Sequence, residues 1–199
     1  MIKHILMDCD GVLFDFTNHA LRAHGALGKR DTLARGEYSI GKQLGITEEE
    51  FWTVIDQPVF WGTVRPYPMA VKFIDSLVGL AALRNFSIAF CTSSSHNVGA
   101  FSRARDTAIG SIWNKAIGDR PHPGYPPVYI CARGGKGIFG GPDRLLVDDM
   151  PKNCKDFEAA GGVAIMPRMP WNCLDPEASY DGPDYVKLFE EIKGKVGEG

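Results

Sequence analysis

Aspartates at positions 8 and 10, separated by one cysteine and followed by Gly11 and Val12, stand directly after the first apolar run of the chain. In an extended segment residues two apart project to the same side, so Asp8 and Asp10 can face one reacting group in different roles while Cys9 turns into the core. Gly11 supplies the turn that follows. Thr92-Ser93-Ser94-Ser95 and Asp148-Asp149 each follow a later apolar run. Four carboxylates gathered in one place repel each other unless a hard cation sits among them, and Mg2+ held by a few carboxylates and a substrate phosphate is the usual solution. A carboxylate that attacks a phosphate dianion meets the same repulsion, which metal and fixed donors can remove. Hydroxyl and backbone donors at Thr92 and Ser93, beside a helix N-terminus, suit phosphate oxygens.

Position carries more of this reading than the motifs do. A D-x-D pair alone is weak, since metal-dependent glycosyltransferases that bind sugar nucleotides share it, and Asp148-Asp149 alone could be a solvated turn. Gly134-Gly135-Lys136-Gly137 lacks the G-x-x-x-x-G-K-[ST] spacing of a P-loop.

Strand-like and helix-like patterns alternate along the chain around these residues. Short apolar runs at residues 2–7, 86–91, 128–131, 144–147 and 162–166 read as buried parallel strands, each ending in polar or Gly-rich sequence. Helical patterns over 69–83, 97–109, 152–160 and 184–196 lie between and after them. This predicts an α/β fold, a Rossmann-like parallel sheet with helices on both faces, whose ligands bind outside the carboxyl ends of the strands. Residues 17–64 break the rhythm, with helices and no convincing strand, and read as a small helical cap inserted after the first strand; 1–16 and 65–199 form the core. Within the insertion, Thr47 and Glu50 form a capping box ahead of Phe51, Trp52, Val54 and Ile55. Trp52, at helical spacing among apolar residues, reads as core of the insertion. Residues 118–127, rich in Pro and Gly, read as a surface loop.

Asp8-x-Asp10-Gly11-Val12, a strand ending Thr92-Ser93, a lone Lys136 and Leu-Leu-Val-Asp148-Asp149 resemble, in order and spacing, the four motifs of the haloacid dehalogenase (HAD) superfamily. More narrowly, DCDGVLFDF at 8–16, RPYPMAV at 65–71, FCTSS at 90–94 and LLVDDMPKN at 145–153 look like the 5′(3′)-deoxyribonucleotidases. The resemblance implies that Asp8 is the nucleophile and that Asp10 protonates the leaving hydroxyl and then activates water. It implies that Asp8, the Asp10 carbonyl and Asp149 hold Mg2+ with Asp148 in support, that Thr92 and Ser93 bind phosphate, and that Lys136 neutralises charge on phosphate and nucleophile. Phe16 matches the aromatic that begins the nucleoside pocket, with Trp61 a further substrate-binding candidate beside Tyr38 and Phe60. The interval CARGGKGIFGGPDRLL is glycine-rich and longer than the family's, so Arg133 competes with Lys136 as the cation, and the insertion has few clearly matched aromatics.

The expected activity is Mg2+-dependent hydrolysis of a small phosphomonoester, a nucleoside monophosphate in the narrower reading. The rivals are a HAD phosphatase for a sugar phosphate or a polynucleotide 3′-phosphate, and an inactive phosphate- or nucleotide-binding protein of the same fold. A net charge of −2, without a long basic run, argues against an extended nucleic acid as partner. At 199 residues, 44% hydrophobic and 23% charged, the chain suits one globular domain with an insertion. The first seven residues lack the length and cleavage site of a signal peptide, and no stretch suits a membrane. Five scattered cysteines without C-x-x-C spacing fit neither a zinc site nor a disulfide framework, so a cytoplasmic protein with reduced thiols is expected. A homodimer is compatible with the sequence and not required by it.

Overall fold

The computed structural model describes residues 1–119 and 124–197. Five strands, β1 (His4–Met7), β2 (Ser87–Ser93), β3 (Val128–Cys131), β4 (Arg144–Val147) and β5 (Val163–Ile165), form one parallel sheet in the order β3-β2-β1-β4-β5. Alternation along β1 puts Ile5 and Met7 in the main core, and Leu6 in a second cluster with Cys91, Cys131, Leu146 and Phe157. A strand buried on both faces needs cover on both, which is why these runs read as continuously apolar.

The covering helices are α5 (Ala70–Arg84), α6 (Val98–Ile117), α7 (Pro151–Ala159) and α8 (Tyr185–Gly197). Between β1 and α5 come α1 (Phe16–Ala23), a 3-10 turn at Leu27–Thr32, α2 (Ile40–Leu44), α3 (Glu48–Ile55) and α4 (Pro58–Thr63), with no strand of the sheet among the described residues there. The capping box forms: Thr47 Oγ1 accepts from the Glu50 N–H, and the Thr47 N–H donates to Glu50 Oε2 at 2.8 Å. Pro58 and Pro151 each open a helix, where a missing N–H costs nothing.

Two elements run longer than the sequence suggests. β2 continues through Thr92 and Ser93 because its pairing with β3 extends to Ser93 opposite Cys131. α6 continues eight residues past 109 because Ile112, Trp113, Ala116 and Ile117 carry its buried face to Gly118, whose φ of 58° ends it. Residues 120–123 of the expected surface loop lie outside the described residues. Among the described residues, all five cysteines are unpaired, and no helix is long and apolar enough to cross a membrane.

Candidate active site

The strand order reverses at β1: the chain moves outward through β2 and β3, then crosses back to lay β4 on the other side of β1. A crevice opens at the carboxyl edge of such a switch point. Register aims the acids into it. Met7 pairs with Phe90 and with Val147, so Asp8 leaves β1 level with the point where Asp148 leaves β4. Oxygens of Asp8, Asp148 and Asp149 lie within 4.8 Å of one another, and all three residues are buried.

One cation lies among them. Lys136 begins a 3-10 segment (Lys136–Phe139) and is 1% exposed, with Nζ 2.6 Å from Asp8 Oδ1 and 2.6 Å from Asp148 Oδ2. Burial disfavours its ammonium, but the two carboxylates more than offset that and hold its pKa well above the usual lysine value. Arg133 does not reach the acids. Its guanidinium lies 4.5 Å over the Trp52 ring at the cavity wall. Of the two candidate cations, Lys136 lies among the acids and Arg133 lies at the cavity wall.

Three carboxylates share a single ammonium, and the imbalance shows. Burial, then Asp148, pushes Asp149 up to about 7, against the pull of a Trp171 hydrogen bond and Lys136. Burial likewise raises Asp8 despite the pull of Lys136. The hydrogen bonds divide the acids by what they have left to give. Asp148 is saturated: Oδ1 accepts from the Met150 N–H and Asn153, and Oδ2 from Lys136 and Asn153. Asp8 Oδ1 accepts from Lys136 and its neighbour's N–H, and Asp149 Oδ2 accepts from Trp171 Nε1 at 2.5 Å. Asp8 Oδ2 and Asp149 Oδ1 have no such partner among the described residues, so this donor set fits a divalent cation. Gly11 is required here: its φ is 76°, and a Cβ on it would lie 2.3 Å from Asp149 Oδ2.

Asp8 and Asp10 open onto a cavity of about 450 Å³, as do Thr92, Ser93 and Lys136. Its wall also includes the aromatic residues Phe16, Tyr38, Phe51, Trp52 and Trp61. Phe16 and Trp61 stack with centroids 5.9 Å apart and planes 18° from parallel. Phe60 packs behind that pair, edge-on to both rings and buried, rather than on the wall. Trp52 packs against the core and Phe51, as its spacing suggests, and, being only half-buried, it also faces the cavity and meets His96 and Arg133.

Two residues at the site escaped sequence reasoning. Trp171 lies in a Pro-rich stretch after β5, where no periodicity points anywhere, and its bond to Asp149 spans 22 positions. Arg105 on α6 donates from Nη2 to both Asp10 oxygens at 2.7 Å. A signal for it existed. Arg105 is four residues after Phe101 and four before Ile109, so it occupies a core position on an apolar stripe.

No family model and no curated protein matches the sequence. Solved structures do resemble the fold. A HAD-like family hydrolase from Streptococcus pneumoniae aligns with a TM-score of 0.55 at 9% identity, covering 96% of this chain and 98% of that one. An L-2-haloacid dehalogenase aligns at 0.53 and 11% identity, over 96% and 100% of the two chains. A HAD hydrolase from Bacillus subtilis, solved bound to magnesium, aligns at 0.53 and 11% identity, over 96% and 98%. At such identities the likeness is one of fold: the chain has the Rossmann-like architecture of the HAD hydrolases.

Proposed function

We propose that the chain is a Mg2+-dependent phosphomonoesterase that forms an aspartyl-phosphate on Asp8, with a nucleoside monophosphate as substrate. The observation that carries this reading is the cluster of Asp8, Asp148 and Asp149 around one buried lysine, with Asp8 and Lys136 lining a cavity whose wall also includes aromatic rings. The motif resemblance and a magnesium-bound structural neighbour add support. Residues 17–64 act as the cap, supplying Tyr38, Phe51, Trp52 and Trp61 to that wall.

Asp8 and Asp149, each with an oxygen to give, would hold Mg2+ together with the Asp10 carbonyl, and Asp148 would support the site through Lys136. Mg2+ held there would neutralise the carboxylates and draw charge from the phosphate. One Asp8 oxygen attacks phosphorus while the other would stay on the metal, Lys136 offsets charge on nucleophile and phosphate, and Thr92 and Ser93 bind phosphate oxygens. Asp10 gives a proton to the departing sugar oxygen, then takes one from the water that attacks the phosphorus of the aspartyl-phosphate, releasing phosphate and restoring Asp8. Flat rings in a cavity of about 450 Å³ give a nucleobase faces to stack on, and Ser39, Glu48 and Ser95 on the same cavity give its sugar polar partners.

The test is a panel of nucleoside 5′- and 3′-monophosphates, sugar phosphates, a 3′-phosphorylated oligonucleotide and a 2-haloacid, each with Mg2+ and with chelator. Nucleotides should be preferred and chelation should stop turnover. Preference for a sugar phosphate would remove the nucleoside assignment. Turnover indifferent to chelation, or turnover of the haloacid, would remove the phosphatase.

The raised Asp149 carboxyl makes metal binding pH-dependent. Its value is about 7 in the folded protein and near 3.8 in an ordinary carboxyl. Between those values the folded state holds the extra proton, so this group favours the metal-free fold at low pH and ceases to as pH rises through 7. Mg2+ requires the carboxylate. Its affinity should rise with pH below about 7, by about tenfold per pH unit for the Asp149 proton alone and more steeply where the raised Asp8 carboxyl also gives up its proton, read by Mg2+ titration of tryptophan fluorescence.

A further inference from the structure

Arg105 is a guanidinium where an α/β core expects an aliphatic side chain. It is the largest fully buried side chain among the described residues, 0% exposed. Its Cζ lies 4.9 Å from the Phe14 ring centre, 5.2 Å from Phe101 and 5.4 Å from Trp61. Its Nε and Nη1 have no hydrogen-bond partner among the described residues, so the aromatic faces and one carboxylate are what compensate the charge. That carboxylate is Asp10, whose side chain is 25% exposed and lines the cavity. The arrangement is lopsided. The arginine cannot move without disturbing three packed rings, whereas Asp10, on the loop after β1, could take other rotamers if left alone.

We propose that Arg105 is the positioning residue of Asp10: shut in its aromatic cage, it fixes where in the cavity that carboxyl presents a proton to the leaving group. This rests on the reading of Asp10 as the proton donor. The cage also ties the device to the substrate wall, because Trp61, one of its three rings, stacks on Phe16. A helix-anchoring arginine would hold α6 to the β1 loop and would affect all substrates alike. A positioning arginine affects those whose leaving group needs the proton.

The test compares kcat/KM for a nucleoside monophosphate, whose alkoxide leaves poorly, with that for p-nitrophenyl phosphate, whose phenolate leaves without help. With Mg2+ present, kcat/KM reports phosphoryl transfer to Asp8 and excludes the later water step. Arg105→Met should lose at least about 100-fold on the nucleotide and at least about tenfold less than that on the nitrophenyl ester. Arg105→Lys, which keeps the charge and shortens the reach, should show the same inequality at smaller size, and it carries the comparison if the Met variant does not fold. Equal losses on the two esters, or none on the nucleotide, would overturn the positioning role alone. Wild-type protein that hydrolyses neither ester with Mg2+ would overturn the phosphatase reading and this inference with it.

Discussion

Asp8→Asn should abolish turnover, by at least about 10⁴-fold in kcat/KM, while the protein still folds. The amide has no oxygen nucleophilic enough to attack phosphorus, and Lys136 and Asp10 cannot substitute for it. The fold survives because Asn keeps an oxygen for the neighbouring N–H and for Lys136, which retains Asp148 at 2.6 Å. Removing one of three crowded carboxylates also relieves the repulsion that, with burial, raises Asp8. The loss of an ion-pair partner and the relief of repulsion oppose each other, so stability should change by less than about 2 kcal/mol in either direction. Activity against the substrate panel and thermal unfolding of the same preparation check both halves.

Lys136→Met should damage fold and activity together. The methionine fills the space but leaves Asp8 and Asp148 without their shared ammonium, beside Asp149. Breaking a buried pair from one side costs about 3–5 kcal/mol, because the remaining charge is stranded in a low-dielectric interior. The pH dependence has a definite sign. In wild type the folded lysine pKa is raised, so its contribution is complete at neutral pH and below and fades only in strong alkali. In the variant the stranded carboxyls can take up protons, so the deficit should be smaller near pH 5 than near pH 8. Mg2+ should restore part of it by supplying the missing charge. Urea unfolding at the two pH values, with and without Mg2+, measures this. With Mg2+ present, kcat should still fall by at least about 100-fold, since a fixed charge beside nucleophile and phosphate is gone.

The readable parts of this site share one physical origin. Parallel strands end at a common edge, so Asp8, Thr92, Ser93, Asp148 and Asp149 could be gathered from strand ends alone, and sheet register carried them together. Lys136 was different. It begins a 3-10 turn outside any periodic element, and only motif resemblance singled it out. Arg105 and Trp171 touch the acids by reaching across 95 and 22 positions, from a helix stripe and an irregular segment. Such contacts depend on how packed elements lie against each other, which local propensity does not encode. Trp52 shows the same gap at smaller scale: helical spacing put it correctly beside Phe51, but only the packing of α3 against the loops after β2 and β3 turns its ring toward Arg133 and His96.

The most direct test of the central claim is the mass of the peptide carrying Asp8, from enzyme quenched in acid during Mg2+-supported turnover of a nucleoside monophosphate. The account predicts one added phosphoryl group on Asp8, absent after chelation and absent from Asp8→Asn. Steady turnover with Asp8 unmodified, or the phosphoryl group on another residue, would contradict it.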